Sequence, residues 1–246
     1  MPTQYPPCRI CHSPNTAHVR DLEMNGVGQP VPLHYCIQCE SLTTPKIFHE
    51  PDELLKEHAH WHISVEERNK RWGTNLLNAV QKRRNVNSVL EIGCATGTLL
   101  SVAKDRGMDT IGFDLNRYAV ELGKERNGLD LRDELWTHDT LSKKFDLVCC
   151  ISVMEHVEDP NALMAEIGAY CNRHSSSAII SVPFATERDI LGEHLSNPLK
   201  PPNPLRLKGH INHFCHSAFQ DLARRNGAWH AEHFPYGWHD NYWLEF

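Results

Sequence analysis

Four cysteines near the start of the chain stand in two pairs, each with two residues between its members. Cys8 and Cys11 form the first pair, and Cys36 and Cys39 form the second after 24 intervening residues. Two such knuckles can place four thiolates tetrahedrally around Zn²⁺ with no ligand position left open. The spacing therefore predicts a closed, structural zinc site. A redox pair or adventitious thiols are the alternatives.

A second chemical pattern is a glycine-bearing turn after a short apolar strand. Residues 88–92 have the apolar, β-branched character of a buried parallel strand, and Gly93 and Gly97 then allow a sharp turn into a helix. The next predicted strand ends at Asp114, about 20 residues beyond the turn, where doubly wound folds place a carboxylate that binds ribose hydroxyls. Together these features predict a nucleotide-like cofactor on the turn.

An acidic residue distinguishes this turn from a dinucleotide-binding turn. The dinucleotide fingerprint is G-x-G-x-x-G, but Ala95 stands at the position of its middle glycine and Glu91 precedes the turn. A carboxylate at this point repels a pyrophosphate and attracts a cation. The pattern therefore favours a ligand that carries positive charge and no phosphate, and a turn without any ligand is the alternative.

These residues resemble the first motif of the class I S-adenosylmethionine-dependent methyltransferases, E/D-x-G-x-G-x-G, with Ala95 as a small variant. Residues 145–157 resemble the fourth motif of the same family, with Phe-Asp-Leu-Val in the strand and Glu-His-Val after it. The resemblance covers about residues 86–235 and implies a sulfonium methyl donor. The cofactor-binding residues that it implies are Glu91, Gly93, Cys94, Ala95, Gly97, Asp114, Leu115, Asp139, Thr140 and Ser152. For Asp139, capping of a loop is the alternative to binding adenine.

Two histidines are the candidates for catalysis. His156 follows the fourth predicted strand at the edge where ligands bind, and an imidazole of near-neutral pKa can take a proton from the methyl acceptor. Ordering of its loop is the alternative. His213 lies in a segment, beginning at His210, that resembles the family's H-x-x-x-F pattern beside the acceptor cavity. We therefore expect His156 and His213 to lie near the acceptor.

Composition argues against some function classes. The 246 residues carry a formal net charge of −6, and basic residues form no long stripe, so nucleic acid is disfavoured as a partner. No stretch approaches 18 uninterrupted apolar residues, and the amino terminus lacks the features of a signal peptide. A metal site and buried thiols explain the cysteines better than disulfides do. We therefore expect a soluble cytoplasmic protein without a membrane span.

The patterns divide the chain into three parts. Residues 1–45 form the zinc-binding module, residues 46–85 a helical linker or lid, and residues 86–246 the methyltransferase domain. Strands and helices alternate in the third part, which predicts an α/β fold with a doubly wound, mostly parallel, seven-stranded sheet of Rossmann-like type. Segments 228–234 and 241–246 are the predicted antiparallel hairpin that completes this sheet.

Two segments are expected to cover the ligands. One is the helical linker, which carries His58, His60 and His62; a polar helix surface is favoured over a second metal site because residues two apart on a helix diverge. The other is the proline-rich segment 184–209, which is too long for an ordinary connection in a compact domain. We expect it to cover the acceptor.

These observations favour methyl transfer from S-adenosylmethionine to an oxygen or carbon of a small molecule such as a sugar, a lipid or a secondary metabolite. Two alternatives come from other classes. One is an RNA base methyltransferase with a zinc module. The other is a non-catalytic, zinc-dependent interaction protein on a methyltransferase fold.

Overall fold

Two β-sheets and six α-helices make up the described part of the chain. The computed structural model describes residues 5–24, 28–45, 51–184, 209–236 and 239–246. The larger sheet has seven strands and the smaller has four. None of the helices in these ranges is long and apolar enough to cross a membrane.

The elements are numbered along the chain. The small sheet contains β1 Thr16–Leu22, β2 Val31–Cys36, β3 Leu42–Thr43 and β9 Asn212–His213. The large sheet contains β4 Ser88–Ile92, β5 Asp109–Phe113, β6 Leu131–Arg132, β7 Leu147–Ile151, β8 Ser177–Val182, β10 His230–Tyr236 and β11 His239–Glu245. The helices are α1 Asp52–Ser64, α2 Glu66–Gln81, α3 Thr98–Asp105, α4 Arg117–Asn127, α5 Pro160–His174 and α6 His216–Arg225.

The large sheet confirms the predicted fold class. Its strand order is β10-β11-β8-β7-β4-β5-β6. The five strands from β8 to β6 are parallel to their neighbours, whereas β10 and β11 form an antiparallel hairpin that pairs with β8. Because β4 lies between β5 and β7, the loops after these three strands meet at one edge of the sheet, which is where ligands bind in open α/β folds.

Both faces of the large sheet are covered, and the side chains of β7 show how. Leu147 and Cys149 pack with apolar residues of α2, α3 and α4, while Val148 and Cys150 pack with those of α5 and α6. This alternation follows from the two-residue period of a strand. The nearly continuous apolar run of β7 is what a strand buried on both faces requires.

The predicted helical linker forms two helices that pack beside the large sheet. Asn116, the residue that caps the start of α4, donates a hydrogen bond from Nδ2 to the carbonyl of Leu55 in α1 at 2.9 Å. Arg117 also pairs with Asp52 at 2.6 Å. These contacts hold α1 against the segment that follows Asp114. A lid role for α1 stays a prediction.

The small sheet joins the cysteine-rich segment to the rest of the chain. Its last strand, β9, comes from residues far along the sequence and pairs antiparallel with β3, with Leu42 opposite His213 and Thr43 opposite Asn212. The module therefore shares a sheet with the domain it precedes. The three domain boundaries stay predictions.

Two sequence predictions fall largely outside the described residues. The boundary predicted between 45 and 46 borders residues 46–50, which lie outside the described ranges. The covering loop predicted over 184–209 lies outside them except for its two end residues.

Candidate active site

The turn after β4 is held in an unusual backbone conformation by the end of β5. Gly93, Ala95 and Gly97 all have positive φ, at 71°, 47° and 71°. The backbone amide of Gly93 donates to the carbonyl of Phe113 at 2.7 Å. A Cβ on Gly93 would lie only 2.2 Å from Cγ2 of Val153, in the loop after β7. Only glycine fits this position, because the turn and that loop are in direct contact.

Asp114 fixes the same turn from the neighbouring strand. Its Oδ2 accepts a hydrogen bond from the backbone amide of Ala95, and its Oδ1 accepts one from the amide of Asn116, both at 2.7 Å. Burial raises the pKa of Asp114, and these two hydrogen bonds oppose that rise. The carboxylate is thus brought to the turn, as predicted from its position after β5.

Glu91 places a second carboxyl group close to Asp114. The side chain is buried, and within the described ranges its Oε2 has no hydrogen-bond partner. Burial, and then the negative charge of Asp114, raise the pKa of Glu91 well above its ordinary value. Burying an unpaired charge is costly, so a positively charged ligand between the two carboxylates would stabilise this arrangement.

Three other predicted cofactor residues surround the turn. Cys94 is buried behind it, with its Sγ packed against Gly112. Ser152 has a φ of 55° where β7 ends and its loop begins. Leu115 is 69% exposed, which is unusual for a leucine beside a buried aspartate. The roles of these residues in cofactor binding stay predictions.

Asp139 and Thr140 are held in a surface turn. Oδ1 of Asp139 accepts a hydrogen bond from Arg173 at 2.9 Å, and this bond lowers the pKa of the aspartate. Oγ1 of Thr140 accepts a hydrogen bond from the amide of Thr137 at 2.8 Å. Both side chains already have partners in the protein. The contact of Asp139 with adenine and the part of Thr140 in cofactor binding stay predictions.

The loop after β7 is pinned to the segment that leads into β9. The carbonyl of Glu155 accepts hydrogen bonds from the amides of Ile211 at 2.8 Å and Asn212 at 3.1 Å. The Asn212 side chain donates from Nδ2 to the carbonyls of Met154 at 2.9 Å and Val157 at 2.6 Å. No motif in the sequence indicated this role for Asn212, because it depends on contacts between distant segments.

His156 lies at the surface of this loop, and its Nδ1 contacts a backbone carbonyl. Its side chain is 44% exposed, and its Nδ1 lies 3.0 Å from the carbonyl of Gly209. Its Nε2 is 4.0 Å from Oε1 of Glu155. The ring of His210 lies edge-on to it, with 4.7 Å between the ring centroids. Burial raises the pKa of the Glu155 carboxyl to about 8.

His213 is placed differently from His156. It lies in β9 and is almost completely buried, and neither ring nitrogen has a hydrogen-bond partner within the described ranges. Burial lowers its pKa to about 3, so its ring is neutral at physiological pH. A buried, neutral ring in a strand is the position of a packing residue, and a catalytic role for His213 stays a prediction.

The four cysteines of the amino-terminal segment converge. Sγ of Cys8 lies 3.6 Å from Sγ of Cys39, and Sγ of Cys11 lies 3.4 Å from Sγ of Cys36. Tetrahedral thiolates at about 2.3 Å from Zn²⁺ would be about 3.8 Å apart. The geometry therefore suits a metal ion with four thiolate ligands.

The chain is similar to known methyltransferases in sequence. A family model described as a methyltransferase domain matches residues 64–228, which is more than half of the chain. The ubiquinone biosynthesis O-methyltransferase of Bordetella avium is 28% identical over 107 residues, which cover 40% of this chain and 42% of that protein. The match thus spans less than half the length of this relative.

Solved structures share the fold. An O-methyltransferase family protein from Burkholderia thailandensis has a TM-score of 0.58 at 11% identity, covering 78% of this chain and 59% of that one. Human N-acetylserotonin methyltransferase, solved in complex with S-adenosylmethionine, has a TM-score of 0.60 at 12% identity, covering 79% of this chain and 56% of that one. Because the family model matches most of the catalytic sheet and its helices, the chain belongs to the methyltransferase-domain family.

Proposed function

We propose that the protein transfers a methyl group from S-adenosylmethionine to an oxygen or carbon of a small molecule. The observation that carries this proposal is the pair of carboxyl groups, Glu91 and Asp114, at a turn with positive φ angles. Two carboxyl groups at this turn favour a cationic ligand over a phosphate. The relative from Bordetella avium and the structure from Burkholderia thailandensis are O-methyltransferases by name, which favours oxygen as the acceptor atom.

The residues at the turn fit the donor. Within the described part of the chain, Oε2 of Glu91 is buried and has no hydrogen-bond partner, and a positive charge would satisfy it. Asp114 keeps acceptor capacity for ribose hydroxyls beyond its two backbone hydrogen bonds. Leu115 offers an exposed apolar surface for a base. When bound, the donor supplies an electrophilic methyl group on a sulfonium.

The loop after β7 forms the acceptor side of the proposed site. Methyl transfer to oxygen needs the acceptor held in line with the donor and shielded from water. The contact between Val153 and Gly93 places this loop against the donor turn. Because a carbonyl only accepts hydrogen bonds, Nδ1 of His156 donates the bond to Gly209, and Nε2 is the nitrogen that can take the acceptor's proton when the ring is neutral.

We also propose that Cys8, Cys11, Cys36 and Cys39 bind a structural zinc ion. The support is the close approach of four thiols in a segment with a small core of its own. The cysteines are explained by a metal site and reduced, buried thiols, and this cysteine usage supports the cytoplasmic location that we also propose. The proposed role of the zinc is to hold β3 in place for its pairing with β9.

Calorimetric titration with S-adenosylmethionine tests the proposed function. Hydrogen bonds to a charged group are worth about 1.5–3 kcal/mol, so we expect Asp114→Ala to weaken binding about 10- to 100-fold. The matched control is Asp109→Ala, which removes an exposed carboxylate at the opposite end of the same strand. A dissociation constant that is the same in all three proteins would contradict the donor assignment.

A further inference from the structure

A second group of metal-ligating side chains lies at the acceptor side of the site. One ligand atom each from Glu155, His156 and His210 lies within 4.8 Å of the other two. Besides the four cysteines, this is the only such group in the described ranges. Two imidazoles and one carboxylate form a donor set that suits divalent transition metals with positions left open.

The carboxyl group of Glu155 is the first reason to place a cation here. Its side chain is 1% exposed, and neither oxygen has a hydrogen-bond partner within the described ranges. Oε1 of Glu155 lies 4.0 Å from Nε2 of His156, which is too far for a hydrogen bond. Among the described residues, this buried carboxyl group therefore lacks the partner that such groups ordinarily have.

The orientation of His156 is the second reason. Its Nδ1–H donates to the Gly209 carbonyl, so Nε2 is the nitrogen that the neutral ring can offer to a metal, and it lies 4.0 Å from Oε1 of Glu155. Metal-binding histidines characteristically donate their second ring N–H to a carbonyl or carboxylate in this way. Gly209 has a φ of 93°, and a Cβ there would lie 3.3 Å from Nδ1, so the backbone approaches the ring closely.

The third ligand is held by the amino-terminal module. Thr44, just after β3, donates from Oγ1 to the carbonyl of His210 at 3.1 Å and from its backbone amide to the carbonyl of Ile211 at the same distance. With Asn212 bound to the loop after β7, both segments that carry the ligands are fixed to each other. A site built on fixed segments loses little conformational freedom when it binds an ion.

We propose that Glu155, His156 and His210 bind a divalent cation of the Mn²⁺ or Fe²⁺ class that holds the oxygen of the methyl acceptor. At bond lengths of about 2.0–2.2 Å, neighbouring ligand atoms lie about 3.0–3.5 Å apart, so side-chain movements of about 1 Å complete the site. The half-exposed ring of His156 leaves the open positions facing solvent.

This proposal rests on the proposed function and specifies the acceptor as a molecule with an ionisable hydroxyl. A cation lowers the pKa of a bound hydroxyl, whose proton then passes to water rather than to His156. The acceptor oxygen forms a bond to the methyl carbon while the carbon–sulfur bond breaks, and the electron pair of that bond goes to sulfur.

Electron paramagnetic resonance of Mn²⁺ tests the site directly. The protein is first dialysed against a chelator at a concentration that leaves one zinc ion per chain, so that the thiolate site stays filled; Mn²⁺ prefers oxygen and imidazole to thiolates. We expect the free Mn²⁺ signal to fall until one ion is bound per chain. In Glu155→Gln, His156→Gln and His210→Gln, binding should be at least about tenfold weaker.

The matched control is His230→Gln, which removes an exposed histidine from the edge strand β10. Its affinity for Mn²⁺ should equal that of the wild-type protein. Because Glu155 is buried, Glu155→Gln can lose stability. His156→Gln also tests the loss of Mn²⁺ affinity, and it changes a half-exposed residue. Absence of Mn²⁺ binding in the wild-type protein, or equal binding in the folded His156→Gln protein, would overturn the proposal.

Calorimetry with S-adenosylmethionine on the same proteins separates this proposal from the proposed function. We expect the three ligand variants to bind the donor within about twofold of the wild-type affinity, because the donor turn is formed by other residues. If the wild-type protein binds Mn²⁺ at these residues but does not bind the donor, the proposed function fails and the cation site stands. If the wild-type protein binds the donor but does not bind Mn²⁺, the cation site is wrong and the proposed function stands.

Discussion

At the scale of single residues, buried ionisable side chains are the main feature of the proposed site. Glu91 and Asp114 are forced together by adjacent strands, and Glu155 is buried within a tightly bonded loop. His213 is also buried, but it lies in a strand and has no polar partner in the described ranges. A cationic ligand beside these carboxylates would stabilise the protein–ligand complex. The buried ring of His213, in contrast, makes the stability of the folded protein sensitive to acid.

His213 should contribute a measurable pH dependence to stability. Its pKa is lowered to about 3 in the folded protein, compared with 6.5 for an ordinary histidine. Between pH 6.5 and 3 the unfolded chain binds a proton that the folded chain does not, so stability falls as pH falls. The loss from this one group should be about 2 kcal/mol between pH 7 and pH 5. We expect His213→Leu to lack this part of the pH dependence in urea unfolding.

The control for this prediction is His230→Gln, at an exposed position in β10, which should keep the wild-type dependence on pH. Equal pH dependence in the wild-type and His213→Leu proteins would contradict it. Turnover by His213→Leu with donor binding intact also tests the predicted catalytic role, because a packing residue should alter stability more than rate.

At the scale of elements, the neighbouring strands β4 and β7 determine the shape of the donor turn. Each strand ends at the same edge of the sheet, and the turn after β4 packs directly on the loop after β7 through Gly93 and Val153. The positive φ of Gly93 and this close contact both exclude a side chain. The strands thus impose two separate constraints on one position.

Gly93→Ala should disrupt both stability and donor binding. The added Cβ meets Val153 at 2.2 Å, so the two segments must separate. We expect a loss of about 1–3 kcal/mol in the free energy of unfolding, together with weaker S-adenosylmethionine binding by calorimetry. Gly107→Ala is the matched control, because Gly107 also has positive φ, 77°, but has open space around its Cβ position.

Comparison with the control separates the effect of the steric contact with Val153 from the effect of backbone strain at a positive φ. Gly107→Ala should lose some stability and keep donor binding. Adding Val153→Ala to Gly93→Ala should restore part of the lost stability because it removes the contacting Cγ2 atom. If Gly93→Ala and Gly107→Ala behave alike in both measurements, the packing argument is wrong.

At the scale of the whole molecule, the cysteine-rich segment and the methyltransferase fold are connected through shared structure. The small sheet takes its last strand from the later part of the chain, and Asn161 of α5 donates hydrogen bonds to the carbonyls of Arg9 and Ile10 at 2.8 Å. Arg225 of α6 also donates to Ile10 at 2.9 Å. Changes in the cysteine site should therefore reach the acceptor side.

Loss of the proposed zinc should loosen residues 209–216. We expect Cys36→Ser to contain one zinc ion per chain less than the wild-type protein by atomic emission, and to melt at a lower temperature. Relative to the wild-type protein, its amide hydrogen exchange should accelerate more in residues 209–216 than in residues 88–98. Cys215→Ser is the matched control, since its thiol donates to the Cys39 carbonyl at 3.3 Å but belongs to no metal-ligand group in the described ranges. Equal zinc content in both variants would contradict the four-cysteine site.

Patterns within a few residues could be interpreted correctly from the sequence. The apolar run of β7 predicted a central strand, and the hairpin of β10 and β11 was predicted from two strand-like segments. Both predictions are confirmed, because strands that are buried in a sheet have apolar residues at a regular spacing. Asp114 was predicted from its position after a strand, about 20 residues beyond the glycine turn, and its carboxylate does lie at that turn.

The sequence by itself determined the fold class, the cysteine pairs and the glycine turn, because each depends on residue types at short, regular spacing. Only the tertiary structure decided which histidine is exposed and which is buried, since this depends on the pairing of β9 with β3. It also decided that His210 meets Glu155 and that Asp139 meets Arg173. Such contacts join residues far apart in the chain, and no local pattern records which distant segment will supply the partner.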